Sequence, residues 1–179
     1  MEKTNGNIVY WMLLNHGHWE MYIAATSEGL CYVGSQHTPF EELAAWVKKQ
    51  LPSSVLLEDE HKLKPYATEL IDYLEGRRNV FTLPVNLHGT VFQQAVWEIL
   101  QEVPYGQTVS YTDIAEKLQK PNAVRAVGTA IGANPVLIMV PCHRVIAKSG
   151  KLAGYRGGLD MKEQLLEIEK HKYGCETND

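Results

Sequence analysis

Pro141-Cys142-His143-Arg144-Val145 closes the apolar run Val136-Leu137-Ile138-Met139-Val140. The nucleophilic form of cysteine is the thiolate, and neighbouring positive charge favours it. From Lys117 to Arg156 the cations are Lys117, Lys120, Arg125, Arg144, Lys148, Lys151 and Arg156, with no Asp or Glu among them. A nucleophile inside a wholly basic stretch suits chemistry on a polyanion. Cys-His alone is a weak signal, because an unpaired cysteine after an apolar run is more often a small buried hydrophobe. On a strand the two side chains would also face opposite ways, so contact would need a turn or a bridging water; Pro141 suggests that a strand ends there.

Other groups carry less. His16 and His18 flank Gly17, but no Cys, Asp or Glu constellation completes a metal site, which leaves two histidines in a surface turn. Gly154-Tyr155-Arg156-Gly157-Gly158 lacks the Walker and dinucleotide patterns and reads as a binding loop or connector. Glu169 lies on a final helix with Leu165, Leu166 and Ile168 and reads as a helix-surface carboxylate.

The elements that position these residues fall into two textures. Residues 8–14, 19–25 and 30–34 are β-branched and aromatic, with turn signals at Asn15-His16-Gly17 and Ser27-Glu28-Gly29, and predict a strand meander. Thr38-Pro39-Phe40-Glu41 reads as a capping box opening a helix with Phe40, Leu43, Trp46, Val47 and Leu51 on one stripe. A second helix is expected over 62–75, with Leu63, Ala67, Leu70, Ile71 and Leu74 inward and Gly76 as its stop, then a short strand at Val80-Phe81-Thr82-Leu83. After Pro84 short helices follow: Thr90 to Leu100, one from the Ser110 N-cap to about Leu118, and one from Pro121 to about Ala133. The last two have the spacing of a helix-turn-helix. A strand at 137–141 and a helix at 159–171 complete the prediction. The fold class is therefore α+β: a small N-terminal α/β domain with an antiparallel sheet (1–84) and a helical, winged-helix-like domain (85–179).

On the 121–133 helix, Val124, Val127 and Ile131 project to one face as core. The opposite face holds Asn122, Arg125, Ala126, Thr129 and Ala133, small residues around one long cation. Such a face lets a helix approach a groove closely, or else packs on a neighbouring element.

The chain's 179 residues allow one domain or two small ones, and its 45% hydrophobic and 21% charged residues are ordinary for a globular protein. The net charge of −4 argues against a polyanion partner, but its distribution does not: residues 1–84 hold 7 Lys+Arg and 11 Asp+Glu, residues 85–179 hold 10 of each. Cys31, Cys142 and Cys175 fit neither a disulfide framework nor a zinc ribbon, so a reducing compartment is expected. The run Ile8 to Leu14 is too short to span a bilayer and poor as a signal peptide; it reads as a strand, and the chain as intracellular.

Taken together, Val109-Ser110-Tyr111, Arg125-Ala126-Val127-Gly128, Gly132-Ala133-Asn134-Pro135, Pro141-Cys142-His143-Arg144-Val145 and Gly154-Tyr155-Arg156-Gly157-Gly158-Leu159 resemble, in this order, the O6-alkylguanine-DNA alkyltransferase family. The resemblance is close over about 89–170 and holds only in outline over the first 84 residues. It implies that Cys142 accepts an alkyl group from guanine O6 in DNA, once and irreversibly, with O4-alkylthymine as a further substrate. It implies that His143 takes the thiol proton through a water, that Glu169 polarises His143, that Asn134 braces the cysteine turn and that Tyr111 assists the departing guanine. Arg125 would fill the stack left by the extruded nucleotide, with Ser110, Asn122, Ala126 and Thr129 on the DNA surface. Val145 and the loop Tyr155-Arg156-Gly157 would hold the base. The resemblance implies no cofactor; with only Cys31 ahead of Cys142, the zinc site of some relatives is not expected. It also implies double-stranded DNA as the partner, no membrane, a monomer and a cytoplasmic location. Two rivals stand beside it: a non-enzymatic DNA-binding regulator with Cys142 as a buried or redox-sensing thiol, and a Cys-His hydrolase indifferent to DNA.

Overall fold

The computed structural model describes residues 7–175, with side chains as far as residue 171. Three antiparallel strands, β1 (Ile8–His16), β2 (Trp19–Thr26) and β3 (Gly29–Val33), lead into helix α1 (Phe40–Gln50). Strand β4 (Val55–Glu58) then pairs in parallel with β1, which makes the sheet mixed, in the order β3-β2-β1-β4. The expected antiparallel sheet is corrected at this edge. β4 escaped notice because three of its four residues are exposed, which leaves little alternation to read.

Alternation along the strands sends two sets of side chains to opposite faces. Val9, Ala24, Cys31 and Tyr32 pack under Leu43 and Val47 of α1. Leu14, Met21, Ile23, Ala25, Leu30 and Val33 join a second core that runs through α2 (Glu60–Leu74) into the C-terminal half as far as Leu165. The two halves thus share one core. Asp59, not a residue near 62, caps α2, accepting from Lys62 N at 2.9 Å. The capping box at Thr38 does not form: Thr38 Oγ1 donates to Ser35 O, and α1 begins at Phe40 without a side-chain cap.

Two expected strands are absent. At 80–83 the Thr82 and Leu83 amides donate to the buried Glu69 carboxylate, so they are not free for a ladder; the single bridge comes later, between Val85 and Leu30. Gly29 (φ +149°) lies where a Cβ would sit 2.7 Å from Pro84 O, so the close approach needs glycine. At 137–141 no strand forms: Val136, just ahead of the run, bridges in parallel with Val33 before the chain curls. Met139 N donates to Leu137 O, Val140 N to Val136 O and Cys142 N to Val140 O. The apolar run is apolar because residues 136–140 are all buried, and an apolar run alone does not distinguish a strand from a buried coil.

The C-terminal half is largely helical: α3 (Val91–Gln101), α4 (Tyr111–Lys117), a 3₁₀ turn (Pro121–Ala123) leading into α5 (Val124–Gly132), and α6 (Leu159–Cys175). Capping boxes at Thr90 and Ser110 fix the starts of α3 and α4. α4 and α5 form the expected helix pair. Strands β5 (Val109–Ser110) and β6 (Val145–Ile146) join in parallel and tie the start of α4 to the segment after Cys142. No helix among the described residues is long and apolar enough to cross a membrane.

Candidate active site

Cys142 opens a 3₁₀ turn, Cys142–Arg144, at the end of the curled apolar segment, and is only 2% exposed. This turn replaces the strand geometry that would have separated Cys142 from His143. The segment is anchored on the N-terminal sheet, where Val33 N donates to Pro135 O at 2.9 Å. Asn134, fully buried, holds it from within. Its Nδ2 donates to Val140 O at 2.9 Å and to Cys142 Sγ at 3.1 Å, while its Oδ1 accepts from Val136 N at 2.9 Å.

Beneath the thiol lies a buried charge chain. His143 Nε2–H donates to Glu169 Oε2 at 2.6 Å. Arg144 Nε and an Nη donate to Glu169 Oε1 at 2.7 and 2.6 Å, and its other Nη donates to Val103 O at 2.6 Å. The expected surface carboxylate is therefore corrected: Glu169 is 1% exposed. It lies on the α6 stripe of Met161, Lys162 and Leu165, a helical spacing that could have revealed it as inward. The basic character of the segment is corrected too, because Glu169, supplied from α6, neutralises Arg144. The exposed cations are Lys117, Lys120, Arg125, Lys148 and Lys151.

Burial raises the Cys142 pKa, against the Asn134 hydrogen bond and the charges of Arg156 and Lys162 that lower it. The resting thiol keeps its proton. Burial first, then the Arg144 and Lys162 charges, lower the His143 pKa, although Glu169 opposes them. The Glu169 pKa is lowered: burial, the largest single influence, would raise it, but the combined pull of His143 and Arg144 prevails. A neutral imidazole with Nε2–H engaged presents Nδ1 as a lone pair, and His143 Nδ1 is buried with no protein partner. The arrangement is that of a protonated thiol, a neutral base and an ionised orienting carboxylate.

The loop from Ala153 to Gly158 is held from both sides. Lys162 Nζ, fully buried, donates to Val145 O at 2.5 Å and Ala153 O at 2.9 Å. Tyr111 OH also donates to Ala153 O, at 2.9 Å. Arg156 binds backbone: its guanidinium donates to Asn134 O (2.9 Å), Val33 O (2.7 Å) and Pro135 O (3.2 Å), and lies over the Tyr32 ring. Gly157 packs against Tyr155 and Met161, with no room for a Cβ.

On α5, Val127 and Ile131 are buried and Val124 packs against the core. Asn122, Arg125, Ala126, Thr129 and Ala133 are exposed together. Ser110 Oγ is engaged as the α4 cap, accepting from Asp113 N at 3.1 Å. His16 pairs with Glu75 and His18 packs on Trp19. Sequence reasoning missed Lys162, the Arg144–Glu169 pair and Tyr73, whose hydroxyl reaches His143 Nε2 at 3.2 Å.

Residues 9–87 match the family described as 6-O-methylguanine DNA methyltransferase, ribonuclease-like domain, and residues 91–171 its DNA binding domain. The chain is 60% identical over 168 residues to the inducible methylated-DNA–protein-cysteine methyltransferase of Bacillus subtilis, covering 94% of each chain. It is 38% identical over 161 residues to a methylated-DNA–protein-cysteine methyltransferase of Methanosarcina acetivorans, covering 90% of this chain and 98% of that relative. The fold superimposes on the Mycobacterium tuberculosis O6-methylguanine methyltransferase with a TM-score of 0.79 at 35% identity, covering 92% of this chain and 94% of that one. On the Mycobacterium tuberculosis OGT in complex with DNA the values are 0.77 and 34%, with 91% and 94% covered.

Proposed function

The chain belongs to the 6-O-methylguanine DNA methyltransferase family, and from that premise we propose which of its residues perform the reaction and how. Its activity is the repair of O6-methylguanine in DNA by methyl transfer to a protein cysteine, and it binds DNA. The observation that carries the residue assignment is the chain Cys142, His143, Glu169, Arg144, with Asn134 donating to the sulfur.

In the proposed step, the Cys142 S–H proton passes through a water to His143 Nδ1. The sulfur attacks the methyl carbon; the S–C bond forms as the C–O6 bond breaks, and that electron pair stays on guanine. Guanine takes up one proton with the help of Tyr111, and the proton on His143 returns to solvent. Thiol and methylguanine become thioether and guanine, so the balance needs no cofactor. Among the described residues no second thiol is placed beside Cys142: burial pushes the Cys31 thiol up to about 12, and it lies on the far face of the sheet under α1. The Cys175 side chain lies outside the described residues. A stoichiometric, single-use reaction follows.

The substrate we propose is double-stranded DNA carrying O6-alkylguanine, with O4-alkylthymine as a further substrate. The exposed face Asn122, Arg125, Ala126 and Thr129, with the start of α4 at Ser110, forms the DNA surface. Val145 and the loop Tyr155, Arg156 and Gly157 hold the extruded base by backbone groups. The protein works as a monomer in this reading. Two free, buried cysteines suit the cytoplasm. The proposed units divide at Pro84 as 1–84 and 85–179. Intact mass before and after exposure to O6-methylguanine duplex tests the chemistry: one methyl per molecule, mapped to Cys142, is expected. Repeated turnover, or a label chiefly on Cys31 or Cys175, contradicts it.

A further inference from the structure

Tyr73 belongs to α2, in the half of the molecule remote from the helix pair, yet it is fully buried with its hydroxyl 3.2 Å from His143 Nε2. Its ring is wedged edge-on between Tyr105 (6.0 Å) and His143 (6.3 Å) and lies 5.4 Å from Phe81, so the hydroxyl has little freedom to turn away. Nε2 has one hydrogen, directed at Glu169 Oε2 at 2.6 Å, and therefore no lone pair with which to accept from a phenol. The phenolic proton needs an acceptor in this buried site, and the anion beside that same Nε2 is the Glu169 carboxylate, 2.6 Å from it. Arg144 and His143 thus donate to Glu169, and the Tyr73 hydroxyl stands beside that pair, 3.2 Å from Nε2.

We propose that Tyr73 is a positioning residue for methyl transfer: its hydroxyl donates to the Glu169 carboxylate in competition with His143 Nε2–H, holding the imidazole edge and weakening the carboxylate's grip on an added imidazole proton. The inference rests on His143 being the base. An acceptor carboxylate that keeps all its charge for the imidazole stabilises imidazolium, and imidazolium cannot accept the thiol proton. A phenol that draws off part of that charge keeps the base neutral. Two other charged groups act in the same sense: Arg144 from the same turn and Lys162 from α6 both oppose its protonation. Tyr105 and Tyr155 remain neutral at working pH, their pKa values raised chiefly by burial.

The test is the pH dependence of the single-turnover rate on O6-methylguanine duplex for wild type, Tyr73→Phe and His143→Gln. Removing one oxygen in Tyr73→Phe leaves Glu169 to His143 and Arg144. The acid limb should move upward by roughly half to one pH unit, a three- to ten-fold slower reaction at a fixed pH below the limb, with affinity for unmethylated duplex unchanged. A profile that superimposes on wild type, or moves downward, overturns the role of Tyr73. His143→Gln separates this from the reading beneath it: loss of the limb in that variant upholds His143 as the base, and an unaltered limb overturns it. Should Tyr73→Phe not fold, the wild-type protein decides by NMR. A slowly exchanging Tyr73 hydroxyl proton with an Overhauser contact to the His143 ring is expected, and its absence counts against the proposal.

Discussion

Arg125 stands alone among small side chains on the outer face of α5, exposed and free of any carboxylate partner among the described residues. Extruding a nucleotide from a duplex costs a few kcal/mol, so a side chain that fills the vacated stack matters only when a duplex is present. Arg125→Ala should slow repair of O6-methylguanine in duplex DNA by about ten-fold or more, given an uncompensated cost of roughly 1.4 kcal/mol or above, and leave reaction with free O6-benzylguanine nearly unchanged. The measurement is the ratio of the two rates in wild type and variant. Equal loss on both substrates removes the intercalating role, because Arg125 would then be supporting the fold or the thiol. This residue was legible because helical projection needs only spacing. Glu169 obeys the same spacing rule, but a lone carboxylate beside leucines gives no sign of the arginine it will meet, so the local sequence alone points to a surface position while only the family resemblance pairs it with His143. Tyr73 could be placed in the core by its spacing from Leu70, but nothing local reveals a partner seventy positions away.

At the scale of elements, the site depends on segments with no regular structure. The Ala153 to Gly158 loop keeps its shape through Lys162, Tyr111 and Arg156, all of which bind backbone carbonyls. Gly157 is packed so closely that a Cβ would fall 2.5 Å from Met161 Sδ and 2.6 Å from the Tyr155 ring. Gly157→Ala must displace the Tyr155 ring or the Met161 side chain, and overpacking of this kind costs about 1–3 kcal/mol. A lower urea midpoint is expected, with a larger fractional loss in the methyl-transfer rate than Arg125→Ala shows on free O6-benzylguanine. An alanine variant of wild-type stability and rate would show that the loop is not held as described. Helices with caps and clean apolar stripes, α3 and α4 above all, were legible almost to the residue. The failures were β4, whose residues are mostly exposed, and the runs at 80–83 and 137–141. In the second run composition reported burial, in the first it did not, Val80 being 64% exposed, and in both hydrogen bonds, to Glu69 or within the curl, set the conformation.

For the whole molecule, the buried charges couple stability to pH. The folded protein holds the His143 pKa below its unfolded value, so the unfolded chain binds more protons below about pH 6.5, and stability falls as pH drops through that region. Glu169 acts in the same direction lower down. Its folded pKa is depressed, so its contribution is present above the ordinary carboxylate value and is lost as pH falls through the folded one. Thermal midpoints should therefore decline in two stages on acidification, and His143→Gln should abolish the first. A wild-type midpoint flat from neutral pH to about 5 would contradict a buried neutral imidazole.

The reacting centre is also ordered in time. Tyr73 leaves the ribosome well before Cys142, whereas Glu169 follows it by twenty-seven positions, near the end of α6. During synthesis the early half can fold first and offer the hydroxyl and the β3 edge on which the Asn134 segment docks. Until α6 arrives, His143 lacks the carboxylate that fixes its tautomer and Arg144 lacks its counter-charge. On the proposed assignment a nascent chain therefore carries its sulfur before the carboxylate that orients its base. On the proposed assignment, α6, translated after Cys142, completes the centre, so that transfer waits for its carboxylate.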